Sequence, residues 1–241
     1  MNMGQIRAWI AGCLTGGLIA AASAGAALAD TRLVVVELFT SQGCSSCPPA
    51  DSFLHELSQR DDVIALALHV DYWDYIGWKD SFAQPAFTQR QKAYAKTAGR
   101  RSVYTPQMIV SGQDHVVGTH EEDANSLIKR HAAVQTDVRV ALERAQDGQL
   151  VIRGDAGQGV AGPLVVHLVR YTPSQRVEIT RGENAGRLID YANVVTEWST
   201  IGEWDLSAPL QIKAPATGNL PAVVILQRKG AGPILAAARL R

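Results

Sequence analysis

A mixed sheet flanked by helices, followed by an all-β sandwich or open barrel, is the fold this sequence predicts. In the first half, apolar runs of strand length alternate with segments of helical spacing. After about residue 135, short alternating runs are separated by Gly, Asp and Pro, the texture of antiparallel strands joined by turns. A third observation gives the first half a chemical focus: Cys44 and Cys47 stand at the turn between its first strand and its first helix.

The elements follow in order. Residues 33–39 and 62–70 are continuous apolar runs, the pattern of parallel strands covered on both faces. Between them, residues 50–59 place Phe53, Leu54 and Leu57 at helical spacing, completing a strand–helix–strand unit. The connection over 71–80 is unusually aromatic. Pro85 then opens a helix through Ala98. A strand entered through Pro106 runs to Val110, Ser111 to Asp114 form a hairpin turn, and residues 115–117 return. A helix from Glu121 to Ala133 closes the unit, with Ala124, Leu127 and Ile128 inward. The order is β-α-β-α-β-β-α. Beyond it, strands are expected at 138–142, 150–152, 164–169, 188–198, 210–212, 223–226 and 234–240. The boundary between the two domains, 30–134 and 135–241, falls at 134–136.

Residues 1–29 read as a removed export signal. Arg7 is their lone charge, Trp9 to Leu28 are apolar or small, and Ala27-Leu28-Ala29 gives a small-x-small cleavage pattern before Asp30. A lipoprotein-type cleavage at Cys13 fits poorly, because most of the apolar run follows that cysteine. A periplasmic or secreted protein with no stable membrane anchor is the expectation. With Arg7 gone, the 23 basic residues become 22 against 23 acidic, a formal charge of −1. No Lys or Arg block forms a phosphate-binding patch, so a nucleic-acid partner is not expected.

If Cys13 leaves with the signal, Cys44 and Cys47 are the remaining cysteines. A ring of four residues constrains little unfolded chain, so the pair serves better as chemistry than as a staple. At a helix start, the dipole and free N–H groups favour a thiolate on the first sulfur. Cys44 is therefore expected as the nucleophile nearer solvent, and Cys47, one turn inside, as the resolving thiol. No cofactor is called for. The competing reading is a metal site: Cys44, Cys47 and His69, with Asp71 nearby, offer soft and imidazole ligands to copper or zinc, although a structural zinc wants four ligands.

Further candidates surround the pair. Glu37 interrupts the first apolar strand and is either a proton-transfer group for the thiols or a salt-bridged carboxylate. Tyr72, Trp73, Trp78 and Tyr104, with Tyr75 and Phe82, either wall a substrate groove or pin the long loop onto the second domain. Arg181-Gly182-Glu183-Asn184-Ala185-Gly186 reads first as a structural turn and second as a loop reaching Cys44. No G-x-S-x-G elbow is present, which leaves hydrolase chemistry without an anchor.

Residues 33–133 resemble a thioredoxin-like domain. The likeness rests on Cys44-Ser45-Ser46-Cys47 after the first strand, Thr105-Pro106 at the start of a later strand, and the hairpin plus helix beyond it. That resemblance implies a cis Pro106 beside the sulfurs, a backbone-docking groove shaped by Thr105 and Pro106, and exchange with protein or small-molecule thiols and disulfides. It also implies an acid near Glu37 that deprotonates the resolving thiol. Gly43 stands where such domains usually carry Trp, and Ser45-Ser46 adds no positive charge, which implies only moderate thiolate stabilisation. The strings from Glu37 to Asp51, His69 to Asp74, Val103 to Gln107 and Arg181 to Gly186 further resemble an exported bacterial family, domain of unknown function 1223.

Overall fold

Eleven strands and three α-helices follow one another in the order the patterning predicts, in a computed structural model that describes residues 32–216 and 218–241. The expected export signal over residues 1–29, Cys13 included, lies outside the described residues. β1 (Val34–Thr40) and β2 (Val63–His69) are buried along their whole length, as continuous apolar strands must be when both faces are covered. They pair in parallel, with Thr40 opposite His69 at their C-terminal ends. α1 (Pro48–Ser58) crosses between them and α2 (Pro85–Thr97) follows. β3 (Gln107–Val110) pairs antiparallel with β1 and β4 (Asp114–Val117) with β3, before α3 (Glu121–Ala132).

The second half supplies β5 (Val138–Arg144), β6 (Leu150–Ala156), β7 (Leu164–Ile179), β8 (Arg187–Trp204), β9 (Leu210–Ala214), β10 (Ala222–Arg228) and β11 (Ile234–Leu240). β5, β6 and β9 make a small antiparallel sheet. The others join strands of the first half in one eight-stranded mixed sheet, ordered β11-β10-β7-β8-β2-β1-β3-β4. The small sheet packs on β7 and β10, but those strands belong to a sheet to which both halves contribute, so the expected all-β sandwich over 135–241 does not stand as a unit of its own. The seam is narrow: among the described residues, β2 and β8 meet in parallel at Ala67 and Val194 alone.

Strand alternation sorts the core onto the two faces of that sheet. Val34, Val36, Leu38, Val63, Ala65 and Ala67 meet Phe53, Leu54 and Leu57 of α1 and Ile128 of α3. Their neighbours Val35, Phe39, Ile64, Leu66 and Leu68 meet Phe87 and Tyr94 of α2, in a core continuous with Val169, Val195, Val223 and Ile225 of the second half. A third core lies between the small sheet and β7 and β10, around Leu142, Leu150, Ile152, Val166, Val224 and Leu226. Both the disulfide turn and the C-terminal ends of β1 and β2 therefore lie at one edge of the α1 face.

Candidate redox site

Cys44 and Cys47 form a disulfide, with Cα atoms 5.4 Å apart. Cys47 caps α1, and Pro48 and Pro49 occupy the first helical positions. Those prolines have no N–H to offer. The next two N–H groups, of Ala50 and Asp51, are taken by the Cys47 carbonyl at 2.9 and 3.1 Å. The free donors expected to face the first sulfur are thus absent among the described residues, and the polar contact of Cys44 Sγ is Ser46 Oγ at 3.4 Å. The helix dipole and one hydroxyl are what remain on this side of the turn to act on the Cys44 sulfur. Cys44 is 2% exposed and Cys47 is fully buried, so the first cysteine is only marginally nearer solvent.

The loop over 71–80 covers this turn. Trp73 donates its indole N–H to Thr105 Oγ1 at 2.7 Å, beside the cis Thr105–Pro106 bond, and Tyr75 stacks on Trp73 while remaining 80% exposed. Trp78 donates to Gln42 Oε1 at 2.8 Å. Tyr72 donates to Gln91 of α2, and Gln91 in turn donates to the Tyr104 carbonyl. Trp78 and Phe82 pack with Ile179, Ile189 and Tyr191 of the second half, so these aromatics pin the loop in place. Gly43 fits under this cover, since a Cβ there would lie 3.3 Å from Trp73 Cβ. Gly118 does the same across the turn: a Cβ would meet Ala50 Cβ at 2.9 Å and Pro106 Cβ at 3.0 Å.

Glu37 belongs to the other face of the sheet. Its odd position in β1 sets it with Val35 and Phe39, under α2. Arg90 grips both its oxygens at 2.5 and 3.0 Å, and the Tyr94 hydroxyl donates to it. The salt-bridged reading of Glu37 holds, and the sheet separates it from α1 and the disulfide.

The acid on the disulfide side is Asp51, in the first turn of α1, a residue the sequence patterns do not single out. It is four residues after Cys47, hence one turn further along the same face of α1, and only 2% exposed. Neither carboxyl oxygen has a hydrogen-bond partner among the described residues. Burial pushes its pKa up to about 7, against a smaller lowering from His69 and from Thr40, which lies close by but outside hydrogen-bond geometry. Thr40 Oγ1, His69 Nε2 and the Tyr191 hydroxyl are likewise buried without partners. Burial, then Asp51 and Asp80, hold the Tyr191 hydroxyl far above its ordinary range.

His69 donates from Nδ1 to Asp80 Oδ2 at 2.7 Å, wholly buried, with its ring edge-on to Phe82 and Tyr191. Asp80 Oδ2 also accepts the Gln42 N–H at 2.8 Å. Burial opposes the Asp80 charge, but His69 and the N–H groups of Gln42 and Phe82 outweigh it and hold the carboxyl below its ordinary value. Both sulfurs are joined in the disulfide, so Cys44 and Cys47 present no thiolate ligands in this form, while Nε2 of His69 is without a hydrogen-bond partner among the described residues. Asp71 is engaged by Thr88. Among the described residues no group of three or more His, Cys, Asp and Glu side chains is arranged to hold a metal ion.

Arg181 to Gly186 reaches the Cys44 turn, contrary to the first reading of it. Asn184, 1% exposed, donates its two amide hydrogens to the carbonyls of Gln42 and Cys44, each at 2.9 Å. A buried asparagine at a tight tip, 140 residues from Cys44, leaves no local signal that could have assigned it.

Two solved structures resemble this arrangement. The X-ray structure of protein AGR_C_4864 from Agrobacterium tumefaciens is 36% identical, over 87% of this chain and 94% of that one, with a TM-score of 0.73. HBP35 of Porphyromonas gingivalis is 15% identical over 87% of this chain and 75% of its own, with a TM-score of 0.56, a likeness of fold alone. No functionally curated protein matches the chain. A family model matches residues 35–227, a span that includes the disulfide turn, the aromatic loop, Thr105-Pro106 and the Asn184 tip, and by that match the chain belongs to the family of proteins of unknown function DUF1223.

Proposed function

We propose that this is an exported, periplasmic or secreted, thiol–disulfide exchange protein with a thioredoxin-like redox domain over residues 30–134. The observation that carries the reading is the Cys44–Cys47 disulfide at the start of α1, beside the cis Thr105–Pro106 bond, with the unpartnered Asp51 carboxyl one turn behind Cys47. In the reductive direction, Cys44 thiolate attacks a client disulfide. A mixed disulfide forms and one client sulfur leaves as thiolate. Asp51 carboxylate then accepts the Cys47 proton, and Cys47 attacks Cys44 Sγ, closing the protein disulfide and releasing the second client thiolate. Two electrons pass to the client. An oxidative cycle reverses each step, with protonated Asp51 returning the proton to Cys47. A carboxyl with a pKa of about 7 serves both directions near neutrality.

Clients would approach where the site meets solvent. Tyr75 and the half-buried Trp73, Tyr104 and Thr105 border the cis-proline side. A cleft of about 720 Å³ opens beside Pro48, between Ser52 and His55 of α1 and Arg187 and Leu188 of β8, and Leu188 is 61% exposed there. The test is stoichiometric reduction of a model disulfide by the purified dithiol. Cys44→Ser should abolish it, and Cys47→Ser should accumulate the mixed disulfide. Failure to exchange, with tight metal binding that needs both cysteines, overturns the reading.

A further inference from the structure

β7 and β8 run past the sheet as a two-stranded arm. Their ladder continues to the pair Ile179 and Arg187, far beyond the point at which β8 leaves β2. Asn193 marks the departure: its φ is +47°, in the left-handed region, and its side chain donates to the Ala65 carbonyl at 2.8 Å, binding the gap that opens. The arm folds onto the aromatic loop through Ile179, Ile189 and Tyr191. Its tip is drawn tight by the Gly186 N–H on the Ile179 carbonyl at 2.7 Å. Gly182, at φ +79°, sits so close to Trp78 that a Cβ would lie 3.1 Å from Trp78 Cβ. The tip carries Asn184 to the Cys44 turn.

The carboxamide of Asn184 spans the residues on either side of Gly43. It holds the carbonyls of Gln42 and Cys44, while Asp80 holds the Gln42 N–H and Trp78 the Gln42 side chain. Of these contacts, the one to the Cys44 carbonyl bears directly on the redox pair. That carbonyl also accepts the Cys47 N–H at 3.2 Å, so it sits inside the four-residue ring that the disulfide closes.

We propose that Asn184 is a positioning residue for the Cys44–Cys47 pair: by fixing the Cys44 backbone it holds the two sulfurs at bonding separation and shifts the dithiol–disulfide equilibrium toward the disulfide. The inference rests on the exchange reading above. Its physical basis is effective concentration: a pair of thiols held at bonding geometry closes more readily than a pair on a loose turn. In the measured reaction the protein disulfide and two glutathione thiols give the protein dithiol and one glutathione disulfide, two electrons passing to the protein.

Equilibration with glutathione across a range of ratios tests this, on full-length protein checked for fold by circular dichroism. Asn184→Ala and the isosteric Asn184→Asp, which removes the donors, should each lower the constant for disulfide closure about tenfold, the scale of one net hydrogen bond, or about 30 mV for a two-electron couple. Arg176→Ala, which breaks only the outer ion pair with Asp190 on the same arm, should leave the constant unchanged. If wild type equilibrates and both Asn184 variants share its constant, the positioning role is wrong while exchange stands. If wild type itself does not equilibrate, the exchange reading falls, and this inference with it. A measurement on unmutated protein covers variants that do not fold. Linkage requires that reduction loosen the Asn184 bonds by the same factor by which those bonds favour the disulfide. The Asn184 side-chain amide hydrogens should therefore exchange with solvent about tenfold faster in the dithiol form; equal rates in both forms refute the proposal.

Discussion

Replacing Asp51 by asparagine removes a charge while keeping the shape, and its effect on stability follows from burial. The folded pKa of about 7 stands against an ordinary value of 3.8. Below the ordinary value both folded and unfolded chains hold the proton, and the carboxyl costs nothing. As pH rises from there the unfolded chain releases its proton while the folded chain keeps it, so stability is lost progressively until the folded group also ionises. At about 1.36 kcal/mol per unit, the accumulated cost is about 1 kcal/mol near pH 4.5 and about 4 kcal/mol near pH 8. A neutral amide at this position carries none of that cost, so Asp51→Asn should be more stable than wild type by about 4 kcal/mol near pH 8 and by about 1 kcal/mol near pH 4.5. Urea unfolding of the oxidised proteins across this range measures the difference. A gap that stays constant with pH means that Asp51 does not titrate there. It would then be no proton acceptor for Cys47, and the exchange mechanism would need another base. The same variant should slow resolution of the mixed disulfide, most clearly near neutral pH, where Asp51 is ionised in part and an unassisted Cys47 is still protonated.

Trp73→Ala should speed reduction of the disulfide by dithiothreitol by about tenfold, because the indole is tied to Thr105 and its loss frees the loop that lies against Gly43, next to a cysteine that is 2% exposed; an unchanged stopped-flow rate would mean that the loop does not control access. Arg90→Met should cost about 3–5 kcal/mol in urea unfolding by leaving Glu37 charged and buried, and adding Glu37→Leu should restore much of it. That double variant should leave the rate of thiol exchange unaltered, since the pair lies on the far face of the sheet, and a loss of exchange would reinstate Glu37 in the chemistry.

The contrast between Glu37 and Asp51 shows which parts of this site can be read from sequence. The strand that carries Glu37 is legible, and so are the turn, the cysteine pair and the helix after it, because each is a local pattern of apolar spacing and punctuation. Which face Glu37 occupies depends on parity. Val34, Val36, Leu38 and Thr40 face α1, and an acid at any of those positions would have looked toward the disulfide; one residue's displacement sends Glu37 to Arg90 instead. Asp51 is hidden by the opposite effect. An acidic residue in the first turn of a helix is so commonly a solvated partner of the dipole that nothing local marks this one as buried. Its burial comes from Thr40 and His69 at the ends of two strands and from Tyr191 on the arm, distant in the chain. The shared sheet is hidden for the same reason, because a seam formed by the single pair Ala67 and Val194 leaves no periodicity in either strand. The same arm that closes this seam supplies both Tyr191 beside Asp51 and Asn184 on the Cys44 carbonyl. The second half of the chain therefore completes the surroundings of the disulfide as well as the sheet, and a fragment ending at residue 134 would keep both cysteines while losing Tyr191 beside the acid and Asn184 on the turn.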